Sequence, residues 1–210
     1  MSTEDSSTKY IGFMKNLLYS TSFYSPLILV SSIFIFSVFT STFYKFGWYL
    51  LWGFTISCIR YFGYSKNLTE NTSVAAICNM FIPFDYTYST FILTFTMTYL
   101  VMPMILVSTQ YKINAVNYCV VGLFVAYIAL DLFTKKSLQC IPTFFSSITI
   151  GNLIGGLFFG AVTVLIMYST TLKNYLYINE VNSNKEVCSM PSKQQFKCKV
   201  YKDGTLIGNI

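Results

Sequence analysis

The chain has 210 residues, 54% hydrophobic, 19% aromatic and only 10% charged, with a mean hydropathy of +0.54. Soluble domains carry about 25% charged residues, so this chain cannot clothe a water-facing globule in polar side chains, and lipid must solvate much of it. Its net charge of +6 comes from 14 Lys and Arg against 8 Asp and Glu, and histidine is absent, which excludes a Ser-His-Asp triad, the His-dependent phosphatases and His-ligated zinc sites.

The opening MSTEDSSTKY is polar. It has neither the basic start and cleavage site of a secretory signal nor the arginines of a mitochondrial presequence. In residues 10–24, Ile11, Met14, Leu17 and Leu18 follow helical spacing, with Lys15 and Asn16 to the side. This reads as an interfacial helix lying in the headgroups, within a polar amino-terminal segment over residues 1–25. Residues 26–43 form the first predicted span, with Pro26 in its opening turn. Lys45 and Gly47 mark a short turn. The second span, residues 46–62, ends near Arg60 and at about 25 Å is the shortest; a re-entrant segment is the alternative. Trp48, Trp52 and Tyr61 sit near its ends, where amphipathic rings favour the interface. The longest loop follows. It holds Cys78, Asp85 and two glycosylation triplets, at Asn67 and Asn71.

The third span, residues 86–108, carries Thr87, Ser89, Thr90, Thr94, Thr96 and Thr98. Such hydroxyls bond back to their own helix or to a neighbour, or else line a pore. Pro103 should kink this helix. The fourth span, residues 114–134, has Asp131 as its one acid, followed by Lys135, Lys136 and the short loop of Cys140. The fifth, residues 144–169, is uncharged and about 39 Å long as a helix, enough to span with tilt. Gly151 and Gly155, and Gly156 and Gly160, recur at four-residue spacing and offer a helix face that another backbone can approach. Asn152 lies among them, as a packing residue or as part of a substrate path. The basic tail, residues 171–210, could attract anionic headgroups or simply be solvated. Its alternation around Phe196, Cys198 and Val200, followed by Asp203-Gly204, predicts a β-hairpin outside the membrane. The fold class is therefore an all-α membrane protein, a bundle of about five transmembrane helices over residues 26–170 with a small extramembrane tail.

Five spans place the chain ends on opposite sides. Lys9, Lys15, Arg60, Lys66, Lys135 and Lys136 then oppose Lys45, Lys112, Lys173 and Lys185, which favours a cytoplasmic amino terminus. The glycosylation triplets conflict with that orientation. Arg60, Asp85 and Asp131 should meet near one surface, together with Lys135 and Lys136, as helix-end ion pairs or, with Asn152, as the mouth of an ion or substrate path. Cys58 and Cys119 fall within spans as packed thiols. Cys78 with Cys140, and Cys188 with Cys198, are candidate disulfides on opposite sides of the bilayer, where ordinary redox asymmetry would oxidise one pair only. No metal site, cofactor motif or nucleic-acid surface is expected, and no acid–base or nucleophile pair points to an enzyme.

The tail VNSNKEVCSMPSKQQFKCKVYKDGTLI, preceded by GNLIGGLFFG and by the Cys140 loop, resembles a group of uncharacterised multi-pass membrane proteins of large DNA viruses of algae and protists, over roughly residues 75–210. The resemblance implies a protein of the lipid layer beneath a viral capsid. It also eases the cysteine problem, because such viruses oxidise thiols on the cytosolic side. The function expected is that of a structural protein of this internal membrane. Its partners are lipid, capsid or core proteins and further copies of itself. The alternative is a small transporter or channel using Asp131, Asn152 and the third span.

Overall fold

The computed structural model describes residue 17 and residues 20–64, 87–111, 115–141, 143–144, 146–181, 199–202 and 205–209. Five long helices dominate: α1 (Ser25–Phe39), α2 (Phe43–Tyr64), α3 (Tyr88–Tyr111), α4 (Tyr118–Ser137) and α5 (Ser147–Ser169). Three of them, α3, α4 and α5, are long and apolar enough to cross a membrane.

Helix α3 is the axis of the bundle. Its apolar window is 67% buried, against 17% for α4 and 33% for α5. A helix apolar on all faces belongs in the middle, and Phe91, Leu93, Phe95, Tyr99 and Met104 of α3 are all essentially inaccessible. The helix runs through Pro103. Its closest neighbour is α5, and the glycines explain why. A Cβ on Gly156 would fall 1.9 Å from Thr94 Oγ1 and 2.5 Å from the Phe91 carbonyl; one on Gly160 would fall 2.7 Å from Thr98 Cβ. Only glycine lets the two backbones approach so closely. The other two predicted packing glycines do not share this role. Gly155 only touches the Phe91 ring, at 3.5 Å, and Gly151 faces open space. The repeat thus contains one buried pair, on a face one residue out of step with the other.

The first two helices differ in length from the expectation. The chain turns at Thr40–Thr42, not at Lys45 and Gly47. Ser41 adopts a left-handed conformation (φ 55°), while Thr40 Oγ1 donates to the Phe36 carbonyl (2.9 Å) and meets Thr42 Oγ1 (2.7 Å). These hydroxyls satisfy the end of α1, and α2 begins at once, with Lys45 and Gly47 inside it. Helix α2 is therefore 22 residues, about 33 Å. Helix α1, at 15 residues, is the short one. Residues 20–23 are helical as well, and backbone bonds from Tyr24 N to Ser20 O and from Ile28 N to Tyr24 O, both 2.9 Å, carry the helical path into α1. Helix α4 is capped by Asn117, whose side chain accepts from Cys119 N and Val120 N, and α5 by Ser146, which accepts from Thr149 N.

The segment after α5 is not the loose start of a tail. A 3-10 turn (Thr171–Tyr175) and a short helix, α6 (Ile178–Val181), fold back onto the bundle. Leu176 and Tyr177 are fully buried and Val181 nearly so. Tyr175 packs against Trp48 and Tyr44, and Tyr177 against Phe36. The boundary expected at residue 170 therefore moves to about 181. Further on, β1 (Lys199–Lys202) pairs antiparallel with β2 (Thr205–Asn209), Lys202 opposite Thr205, with a register shift between Val200 and Tyr201. Large apolar side chains point outward along the helices, among them Phe39, Phe54, Leu123, Phe133, Ile154 and Phe158.

Candidate functional site: two polar clusters at one end and an ion pair at the other

The predicted meeting of Arg60, Asp131 and Asn152 resolves into two separate clusters, joined by the first turn of α3. Asp85, the fourth expected member, lies outside the described residues.

In the first cluster Asp131 and Lys135, four apart on α4, form an ion pair of 2.6 Å with side-chain exposures of 0% and 1%. Hydroxyls close around it. Ser22 (2.6 Å) and Ser89 (2.9 Å) donate to Asp131 Oδ1, and Thr90 donates to Oδ2 (2.7 Å). Lys135 Nζ donates to Ser89 Oγ (2.5 Å), Thr90 Oγ1 (2.6 Å) and Asp131 Oδ2 (2.6 Å). An ionised carboxylate offers about four acceptor positions and an ammonium three donors, and the contacts fill both sets. Ser89 and Thr90 each accept from the lysine and donate to the aspartate, so the shell matches the charge-separated form of the pair. Beside it, the Tyr127 hydroxyl donates to the Thr21 carbonyl (3.0 Å). The segment before α1 is thus tied to α4.

The second cluster centres on Arg60 at the end of α2. Its Nε (3.0 Å) and Nη2 (2.9 Å) both donate to Asn152 Oδ1, and Nη2 also donates to Thr87 Oγ1 (3.0 Å). Asn152 Nδ2 donates back to the Ile148 carbonyl (2.8 Å). The guanidinium lies over the rings of Tyr88 (5.4 Å) and Phe91 (5.2 Å), where cation–π attraction adds to the hydrogen bonds. One residue from each of α2 and α5 is thereby locked to the start of α3.

At the opposite end, Lys45 and Glu180 pair at 2.7 Å, with side-chain exposures of 6% and 14%. Lys45 Nζ reaches both Glu180 oxygens (2.7 and 2.9 Å) and the Leu176 carbonyl (2.9 Å). Asn117 Nδ2 donates to the Val181 carbonyl (3.2 Å). The Tyr177 hydroxyl meets Ser37 Oγ, and burial pushes its phenol above the ordinary value, with the Ser37 bond opposing. Tyr168 donates to Gln110 Oε1.

The remaining hydroxyls of α3 are also engaged. Thr96 pairs with Tyr49 (2.9 Å), while Thr94 and Thr98 donate to carbonyls of their own helix. Thr96 thus joins α3 to α2, while Thr94 and Thr98 bond back to α3 itself. Of the cysteines, Cys58 and Cys119 are free thiols, and no disulfide joins two described residues. Cys140 is buried and disulfide-bonded. Cys78, Cys188 and Cys198 lie outside the described residues, as do the glycosylation triplets at Asn67 and Asn71.

Lys135, expected beside Asp131 among helix-end ion pairs, is its direct partner, at the i,i+4 spacing of a helical ion pair. Three participants, Ser22, Lys45 and Glu180, carry no signal in the sequence, because their partners lie more than a hundred residues away. No protein-family model matches the chain, and neither a curated protein nor a solved structure matches it.

Proposed function

We propose that this chain is a structural, multi-pass membrane protein whose five long helices all cross the bilayer, and that it belongs to the internal membrane of a large DNA virus. Two length arguments support five crossings. The helical path over residues 20–39 is about 30 Å and α2 about 33 Å, both sufficient for a hydrocarbon core of about 30 Å. Lys45 and Arg60, the charges that lower the hydropathy of α2, are met inside the protein by Glu180 and Asn152. The outward-facing phenylalanines, leucines and isoleucines suit lipid contact.

The observation that carries the structural reading is the closed Asp131–Lys135 shell, in which every hydroxyl ties one segment to another. Residues 171–181 are seated firmly on the bundle, so the tail beyond them leaves from a fixed platform, suited to contacting capsid or core proteins. The viral location rests on the resemblance over roughly residues 75–210. Cys78 is the partner we assign to Cys140, which would fasten the long loop to the α4–α5 connection. Quantifying the chain in purified particles, with a protease-protection map of the tail, tests the reading. It expects many copies per particle and a tail cleavable from one side only; a few copies per particle would overturn the structural role.

A second reading, a small transporter or channel, is favoured by one observation: an ionisable pair lies within membrane helices, where such residues commonly serve ion paths. Flux in proteoliposomes that is abolished by Asp131→Leu/Lys135→Met, a variant that keeps its cooperative unfolding transition, would establish it.

A further inference from the structure

Helices α1 and α4 are fastened at one end by the Ser22–Asp131 and Tyr127–Thr21 bonds. Toward the other end they leave a cavity of about 410 Å³ between them. Its walls are apolar, with Leu29, Ile33 and Phe36 on α1, Leu100 on α3, and Val120 and Phe124 on α4, apart from Ser32, whose hydroxyl donates to the Ile28 carbonyl. Glu180 lines one end. Both of its oxygens accept from Lys45, so its charge is balanced, yet each oxygen keeps capacity for another donor. Of the neighbouring groups, one Asn117 N–H is taken by the Val181 carbonyl, the Tyr177 hydroxyl shares a hydrogen bond with Ser37, and the Lys45 ammonium spends its three donors on Glu180 and the Leu176 carbonyl. This end of the cavity therefore offers carboxylate acceptors and no net charge. A phosphate headgroup would meet those oxygens with no uncommitted cation beside them. A hydroxyl would find an acceptor in a place with little water to compete.

We propose that this cavity binds a neutral, hydroxyl-headed membrane lipid, a sterol or a diacylglycerol, with its apolar body between α1 and α4 and its hydroxyl donating to Glu180. The volume lies in the range of about 300–1,000 Å³ typical of small-molecule sites. The inference rests on the membrane reading above and adds a ligand to it.

The test uses the full-length chain in phosphatidylcholine nanodiscs, with a photoactivatable sterol and a photoactivatable diacylglycerol as separate probes. Labelling of residues on α1 and α4 should saturate for at least one probe, and which one does so identifies the lipid. Unlabelled probe lipid should compete and phosphatidylglycerol should not. Ser32→Phe and Val120→Phe, which fill the cavity from two sides, should each lower labelling by about tenfold, while the thermal melt keeps one cooperative transition. Lys45→Met/Glu180→Met, which removes the acceptor without stranding a buried charge, should do the same. Labelling that does not saturate, that phosphatidylglycerol competes equally, or that survives both filled variants overturns the proposal. If the filled variants misfold, competition on the unaltered protein decides. A protein that enters nanodiscs yet fails these tests loses the lipid site alone. One that does not enter nanodiscs loses the membrane reading as well.

Discussion

Replacing Asp131 by Asn should be far more damaging than removing the whole Asp131–Lys135 pair. In the native bundle the Lys135 ammonium is 1% exposed, and the only carboxylate it reaches through a described contact is Asp131, at 2.6 Å. Asp131→Asn leaves that cation with two hydroxyls and an amide. It also confronts Ser22, Ser89 and Thr90 with a group that offers half the acceptors of a carboxylate. Breaking one partner of a buried pair costs about 3–5 kcal/mol, whereas replacing both with apolar residues of similar size is often neutral. Asp131→Asn and Lys135→Met should therefore each lose about 3–5 kcal/mol. Asp131→Leu/Lys135→Met should lose less than either single change, because hydroxyls can turn back to carbonyls of their own segments; each of Ser22, Ser89 and Thr90 that finds no such carbonyl adds about 1–3 kcal/mol. The assay is reversible unfolding in mixed micelles, followed by tryptophan fluorescence and analysed as a double-mutant cycle. Additive losses, with the double variant worse than both singles, would mean that the two charges do not meet in the folded bundle. The bracing role given to this cluster would then be lost.

Other outcomes follow from the same geometry. Gly156→Ala should destabilise by more than about 2 kcal/mol, because its methyl would strike the α3 backbone. Gly151→Ala, facing open space, should be neutral or stabilising by up to about 1 kcal/mol; micellar unfolding midpoints measure both. Asn152→Ala removes the acceptor for two Arg60 donors and should cost about 1.5–3 kcal/mol in that assay. Because burial raises the Tyr177 phenol, the unfolded chain loses that proton first as pH rises. The contribution of Tyr177 is thus intact below about pH 10 and lost above it. Tyr177→Phe should flatten that part of the alkaline unfolding profile, and an unchanged profile would refute the assignment.

What could be read from the sequence depended on how far away each residue's partner lay. The long apolar runs announce themselves, so the helices fell near their expected places, and the capping residues Asn117 and Ser146 trimmed them by only a few positions. Errors gathered at charges. Lys45 looks like a turn residue until Glu180 is brought beside it, and Lys135 looks interfacial until Ser89 and Thr90 enclose it. A lysine's preference for water is conditional on having no better partner, and the partner is a tertiary fact. The glycine repeat presents the same difficulty. Two pairs at identical spacing differ only in which face meets α3, and that depends on the rotation of α5 about its own axis.

In lipid, apolar side chains gain little by meeting one another, so close backbone packing and polar bonds must select the arrangement of helices. Those bonds are unevenly distributed here. The first turn of α3 receives Arg60 from α2 through Thr87, and Asp131 and Lys135 from α4 through Ser89 and Thr90; Asn152 of α5 joins through Arg60. At the other end, Lys45 of α2 and Asn117 of α4 both hold the segment that follows α5. Each of α2, α4 and α5 is thus pinned at both ends, while α1 is held at one end by the Ser22 hydroxyl and at the other by Ser37. A transport cycle that opened a path beside Asp131 would have to break the bonds of Ser22, Ser89 and Thr90 to it together. Holding this geometry requires nothing further. That asymmetry is why the clusters argue for a scaffold.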